Sequence, residues 1–267
     1  MSAPVAVLGA GMLGESLLSG LLASGMAPDA IVITEKHPER GAELAARYGV
    51  EVMSNADAAS KADVLLLAVK PQDMGALLAE ISSSVTADRL VVSLAAGVRI
   101  STLEAGLSAG TPVVRVMSNT PVRIREAMSA ISPGSHATEA HLARTEELLA
   151  AVGRTVRVPE SQLDAVTALS GSGPAYFFYL VEAMIDAGIL LGLPRAVAAE
   201  LIVQTAYGSA AMLRESGEHP VTLREAVTSP GGTTISAIRE LENHGVRAAL
   251  LAALQAAADR SKELGGG

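Results

Sequence analysis

The sequence predicts an α/β chain in two parts: a doubly wound parallel sheet over residues 1–160, then an all-α domain over residues 161–267. Three observations carry this prediction. Through the first half, short β-branched runs alternate with Ala- and Leu-rich helical stretches, the sign of parallel strands joined by crossover helices. A G-x-G-x-x-G stands at the first strand-to-helix junction, where such a sheet meets a phosphate. From Leu163 onward the β-rich alternation stops and the pattern is helical to the end.

Composition supports a well-buried chain. Of 267 residues 49% are hydrophobic, and the mean hydropathy is +0.37. Aromatic residues make up only 2% and Trp is absent, so the core must be aliphatic and few rings exist on which nucleobases could stack. A net charge of -8 argues against a nucleic-acid partner, which needs clustered Lys and Arg. The lack of Cys removes disulfides, thiol nucleophiles and thiolate metal sites together. The five His residues, His37, His136, His141, His219 and His244, fall in different elements and show no HxxxH spacing, so no structural metal is expected. The start, Met1-Ser2-Ala3-Pro4, has no basic region or cleavage site, and a cytoplasmic protein is expected. The longest apolar segment, 175–193, is interrupted by Glu182 and Asp186, which favours a buried helix over a membrane span.

Strands are expected at 5–8, 31–34, 64–69, 90–94 and 113–117, with a last one at 155–158. Between the first strand and the helical run 15–23 lies Gly9-Ala10-Gly11-Met12-Leu13-Gly14. Gly9 suits the tight turn, Gly11 lets backbone approach a pyrophosphate, and Gly14 lets the helix pack closely on the strand. This is the Rossmann-type arrangement. Glu35 follows Gly14 by 21 positions, at the end of the second strand, where a carboxylate bonds the adenosine ribose of NAD. Lys36 and His37 beside it point toward the 2′-phosphate of NADPH, so either cofactor is open. Three more loops follow strands: Ala68-Val69-Lys70-Pro71-Gln72, Ala95-Ala96-Gly97 and Ser118-Asn119-Thr120-Pro121. Lys70 could meet a phosphate, Ala96 and Gly97 could let a nicotinamide approach backbone, and the Asn119 amide could bridge ribose or carboxamide. Each loop would also serve as a plain helix-initiating turn. Arg115, inside an apolar strand, is expected to pair with a buried carboxylate.

In the second half, helices are expected at 163–169, 175–191, 195–216, 223–227, 235–242 and 246–264. The stretch 175–181 is apolar on every face, and about a hundred residues can hardly cover it. A helical dimer with a core shared between two chains is therefore expected. Ser229-Pro230-Gly231-Gly232-Thr233-Thr234 opens the helix at 235 with two glycines and three hydroxyls, a second anion cradle suited to a carboxylate.

Taken together, Gly9 to Gly14, Ala68-Val69-Lys70-Pro71-Gln72, the Ala95-Ala96-Gly97 loop, Met117-Ser118-Asn119-Thr120-Pro121, Gly171-Ser172-Gly173-Pro174-Ala175 and above all Ser229 to Thr234 make the chain resemble pyrroline-5-carboxylate reductase from end to end. Ser118 stands where many members carry Pro. The resemblance implies reduction of the cyclic imine 1-pyrroline-5-carboxylate to L-proline by hydride from NADPH or NADH, by a homodimer that often assembles into a decamer. It further implies that Ser229, Gly232, Thr233 and Thr234 hold the substrate carboxylate, with Thr234 near the ring nitrogen, and that Asn55 approaches the adenosine ribose. A related 3-hydroxyacid dehydrogenase would need a Lys on the helical domain, and none occurs between Leu163 and Arg260.

Overall fold

The structure, a computed structural model, describes residues 4–266. Its centre is an eight-stranded sheet in the order β3-β2-β1-β4-β5-β6-β7-β8. These strands are β1 (Val5–Leu8), β2 (Ile31–Thr34), β3 (Glu51–Val52), β4 (Val64–Leu67), β5 (Leu90–Ser93), β6 (Val113–Met117), β7 (Ala127–Pro133) and β8 (Gly153–Arg157). All neighbours are parallel except β6 and β7. Every residue of β1, β2, β4 and β5 is buried, as continuous aliphatic runs require when helices cover both faces of a sheet.

On one face, Val5, Val7, Leu66, Val92 and Val114 pack with Leu17, Leu18 and Leu21 of α1 (Met12–Ala23) and Leu148 of α6 (Glu139–Ala150). On the other, Ala6, Leu8, Leu65, Leu67 and Val91 meet Met74, Leu77 and Leu78 of α4 (Met74–Ile81) and Leu103 of α5 (Ile100–Ala105). The remaining helices of this half are α2 (Pro38–Tyr48) and α3 (Asn55–Lys61).

Two strands went unread in the sequence. β3 is two exposed edge residues, too short to leave a pattern. β7 reads Ala-Met-Ser-Ala-Ile-Ser-Pro, and it becomes a strand because Val116 of β6 and Val156 of β8 lie in register with Ile131 and Ala130. Its hydroxyls find partners, Ser132 Oγ donating to the Val158 carbonyl at 2.6 Å and Ser129 Oγ to Ser118 Oγ at 2.9 Å.

Contacts divide the chain into two compact units. The first extends to Gly171 and takes in the chain again from Ala257; the second is Ser172–Ala256. The first unit therefore also contains α7 (Leu163–Val166), a π-helical turn over Thr167–Gly171, and the last turns of α12 (Val246–Leu264). Ser261, almost fully buried, donates to Asp164 Oδ1 at 2.6 Å and ties that end of α12 to α7.

The second unit holds α8 (Gly173–Leu190), α9 (Arg195–Ser216), α10 (Pro220–Ala226), α11 (Thr233–Asn243) and the earlier turns of α12. α8 and α9 pack closely where a Cβ on Gly188 would lie 2.9 Å from the Ala198 Cβ. Many of their apolar side chains are nonetheless exposed: Phe177, Phe178 and Tyr179 are 66%, 69% and 72% exposed. The continuous helical stretch Glu160–Leu190, which ends with α8, and α9 are long and apolar enough to cross a membrane by length and composition alone. Such a surface needs a cover that one chain does not supply.

Candidate active site

The glycine motif forms the loop between β1 and α1. Gly9 has φ 93°, and the N–H groups of Gly9 and Ala10 both donate to the Thr34 carbonyl, at 3.2 and 2.9 Å, so the loop is stitched to the end of β2. A Cβ on Gly14 would stand 2.1 Å from the Gly9 carbonyl oxygen, which is the close helix–strand approach expected of that glycine. At Gly11, by contrast, nothing lies within 4 Å of a Cβ position. Gly11 is also the N-cap of α1 and brings no side-chain cap, so the first N–H groups of the 12-residue helix face open space. A pyrophosphate fits this cradle.

The cradle opens into a cleft of about 590 Å³. Gly9, Gly11, Met12, Glu35, Lys36, Asn55, Ala68 and Lys70 line it together, with His37 beside them. Leu13 packs partly buried against the core and Gly14 lies beneath the loop, so these two act through backbone. Arg40, Asp73 and Glu80 also line the cleft, and sequence reasoning missed them. Their signal was positional: Arg40 is in the first turn of α2, Asp73 is the N-cap of α4, and Glu80 lies further along α4.

Several of the polar and charged groups here already have partners, Lys70 being an exception among the hydrogen bonds and ion pairs of the described residues. Glu35 Oε1 accepts the His37 N–H at 3.0 Å, and Asn55 Nδ2 donates to Glu80 Oε2 at 2.9 Å. Lys36 Nζ is 3.8 Å from Asp73 Oδ2. Arg40 bonds both Glu15 and Glu43, and its guanidinium holds the Glu43 carboxyl below the usual carboxylate range. Glu15, in the first turn of α1, accepts in addition from Arg47 and from the Tyr48 hydroxyl, each at 3.0 Å. Burial is the main cause that pushes the Tyr48 phenol upward, with Glu15 adding to it.

Ala96, Gly97 and Asn119 are not part of this cleft lining. Gly97 (φ 75°) borders a separate cavity of about 260 Å³ with Arg99, Arg115, Glu160 and Asp164. There Glu160 Oε1 accepts from Arg115 Nη1 and from the Ile100 N–H, both at 2.8 Å, so the strand arginine has the carboxylate partner its burial requires. The Asn119 amide, expected to reach cofactor, is occupied: Nδ2 donates to Ser170 and Oδ1 accepts the Met128 N–H at 3.0 Å.

In the second unit, Ser229 to Thr234 make the turn into α11. Gly231 has φ 68°, and Gly232 is the N-cap, with its N–H bonded to the Ser229 carbonyl at 3.1 Å. A Cβ on Gly232 would collide with Ser229 Oγ at 2.5 Å. The hydroxyls of Ser229, Thr233 and Thr234 have no hydrogen-bond partner among the described residues. Thr234 is half-buried and the other two are exposed. An 11-residue helix thus offers uncapped N–H groups together with three free hydroxyls, chemistry suited to a small carboxylate.

Comparison with known proteins agrees with both halves. Residues 160–264 match the family model for pyrroline-5-carboxylate reductase dimerisation, and residues 4–97 match that described as NADP oxidoreductase, coenzyme F420-dependent. A pyrroline-5-carboxylate reductase of Corynebacterium melassecola is 48% identical over 98% of both chains, and one of Mycobacterium tuberculosis is 45% identical over 98% of this chain and 97% of its own. Among solved structures, a pyrroline-5-carboxylate reductase from Coxiella burnetii superposes with a TM-score of 0.94 at 35% identity, covering 99% of each chain. The Plasmodium falciparum enzyme, solved with NADP bound, gives 0.87 at 26% identity over 99% of this chain and 98% of that one. With a phosphate cradle on a doubly wound sheet and a helical domain matched along its length, the chain belongs to the pyrroline-5-carboxylate reductase family.

Proposed function

We propose that the chain reduces 1-pyrroline-5-carboxylate to L-proline, the last step of proline biosynthesis, and that the two anion cradles divide the work. The observation that carries this reading is the turn at Ser229 to Thr234, whose hydroxyls are without partners at an uncapped helix start. NADPH or NADH, when bound, supplies the hydride. The backbone of Gly9, Gly11, Met12, Leu13 and Gly14 receives the pyrophosphate; Glu35, Lys36 and Asn55 face the adenosine ribose. Ala68, Lys70, Ala96 and Gly97 follow the cofactor toward its nicotinamide. Asn119 stands with them on the cofactor's path, its amide holding its loop to Ser170 and Met128.

Ser229, Gly232, Thr233 and Thr234 hold the substrate carboxylate, and the Thr234 hydroxyl stands near the ring nitrogen. A cyclic imine is basic enough to arrive as iminium, already electrophilic at carbon, so no strong protein acid is required. The residues align donor and acceptor and exclude water. Residues 1–160 serve the dinucleotide, and 161–267 serve substrate and dimerisation. The apolar surface of α8 and α9 supports a shared helical core. Assembly of dimers into a decamer and residence in the cytoplasm belong to the same reading, and the cysteine-free composition suits a reducing compartment.

The test is loss of reduced-nicotinamide absorbance when purified protein meets 1-pyrroline-5-carboxylate. Thr234→Ala should raise KM for the imine and lower kcat/KM without abolishing turnover; unchanged constants would remove the assigned pocket.

A further inference from the structure

We infer that this chain selects NADH over NADPH, with Glu35 reading the 2′-hydroxyl and Glu15 keeping Arg40 from answering a 2′-phosphate. The inference rests on the cleft above being the dinucleotide site.

Glu35 is the residue that directly follows β2, the position from which a carboxylate reaches the adenosine ribose. Its Oε1 is fixed by the His37 N–H at 3.0 Å, which holds the side chain in the cleft and leaves Oε2 to accept from a hydroxyl. A phosphate at the same position would meet that carboxylate as a like charge.

Three Lys and Arg side chains line the cleft: Lys70 follows β4, two strands away from β2, whereas Lys36 and Arg40 follow β2 beside Glu35 and could offset the repulsion, and both of these are engaged. Arg40 is gripped from two sides, by Glu15 of α1 and by Glu43 one turn along α2. The Glu15 carboxylate is only 19% exposed, and it is further anchored by Arg47 and by the Tyr48 hydroxyl, so it does not follow Arg40 into the cleft. Lys36 lies 3.8 Å from Asp73, and Glu80 adds a third carboxylate to the lining. To bind a 2′-phosphate the chain must break at least one of these pairs, whereas a ribose hydroxyl requires none to break. Glu15 is thus a positioning residue for specificity: it touches no cofactor atom and acts through Arg40.

The experiment compares kcat/KM for NADH and NADPH with 1-pyrroline-5-carboxylate and, separately and without substrate, calorimetric binding of AMP and of adenosine 2′,5′-bisphosphate. Wild type should favour NADH and AMP on the order of tenfold. Glu35→Gln should weaken NADH and AMP and bring the two ratios toward unity. Glu15→Gln, which keeps an acceptor for Tyr48 but loses the charge, should improve NADPH and the bisphosphate several-fold while NADH changes little. A wild type that favours NADPH and the bisphosphate would overturn the inference, as would ratios that neither variant moves. Selective nucleotide binding without turnover of the imine would sustain it while removing the proposed substrate.

Discussion

Two substitutions three residues apart should separate folding from cofactor binding. At Gly14 a new Cβ would lie 2.1 Å from the Gly9 carbonyl oxygen, 3.0 Å from its carbon and 3.2 Å from Val7 Cγ1. The carbonyl belongs to the loop stitched to Thr34, so relief requires the backbone itself to move. Overpacking of this kind costs about 1–3 kcal/mol, and in a unit of this size each kcal/mol lowers Tm by roughly 2–4 °C. Gly14→Ala should therefore melt roughly 2–12 °C below wild type with no ligand present.

At Gly11 the backbone has φ -66°, which Ala adopts freely, and nothing lies within 4 Å of the added methyl. Replacing an N-cap glycine by Ala costs about 1 kcal/mol, and the stiffer unfolded chain returns about 0.4–1 kcal/mol, so the apo protein should melt within a few degrees of wild type. The same methyl fills the space that a pyrophosphate needs. Loss of one or two hydrogen bonds to a charged group, about 1.5–3 kcal/mol each, weakens binding by roughly tenfold to well over a hundredfold. Thermal unfolding without ligand and calorimetric titration with NADH and NADPH measure the two effects. Unimpaired binding by Gly11→Ala, or a wild-type Tm for Gly14→Ala, would refute the reasoning.

Glu160→Ala strands the Arg115 guanidinium, which is 9% exposed, and the Ile100 N–H; because Glu160 itself is 34% exposed, a loss of about 1–3 kcal/mol in urea unfolding is expected, below that of a fully buried pair. Arg157 bonds both oxygens of Glu146, at 2.7 and 2.8 Å, and holds that carboxyl below its ordinary value of 4.5. A depressed acid contributes fully above the unfolded value and loses its contribution as pH falls through the folded one. The stability gap between wild type and Arg157→Ala should thus be largest near neutral pH and shrink below about 4.5; a gap that widens in acid would contradict the pairing. Phe178→Asp places a charge in the exposed apolar face of α8 and should shift sedimentation toward the monomer, whereas an unchanged mass would clear this face of an interface role.

Much of the first unit was legible because its strands are aliphatic runs that only a two-faced sheet can bury, as in Val64-Leu65-Leu66-Leu67. The glycine motif was legible because its conformational demands are local: Gly9 needs positive φ, and Gly14 needs the absence of a Cβ. What stayed hidden depends on distant partners. β7 exists through its neighbours rather than through its own residues, and the Asn119 amide is taken by Ser170, 51 positions away. Nor does spacing reveal that Arg40 and Glu15, 25 positions apart, pair with each other beside the cleft.

The bond from Ser261 to Asp164 joins residues 97 positions apart, and Ala257 onward belongs with the sheet-bearing unit. The sheet-bearing unit is consequently completed by residues synthesised after the helical unit. During translation the sheet can assemble early, since its strands end at Arg157, yet the pocket wall beside Gly97 waits until Gly265 has left the ribosome. The helical unit, an insertion of Ser172–Ala256, must therefore emerge in full before its neighbour is finished, so maturation of the first unit is scheduled by the second.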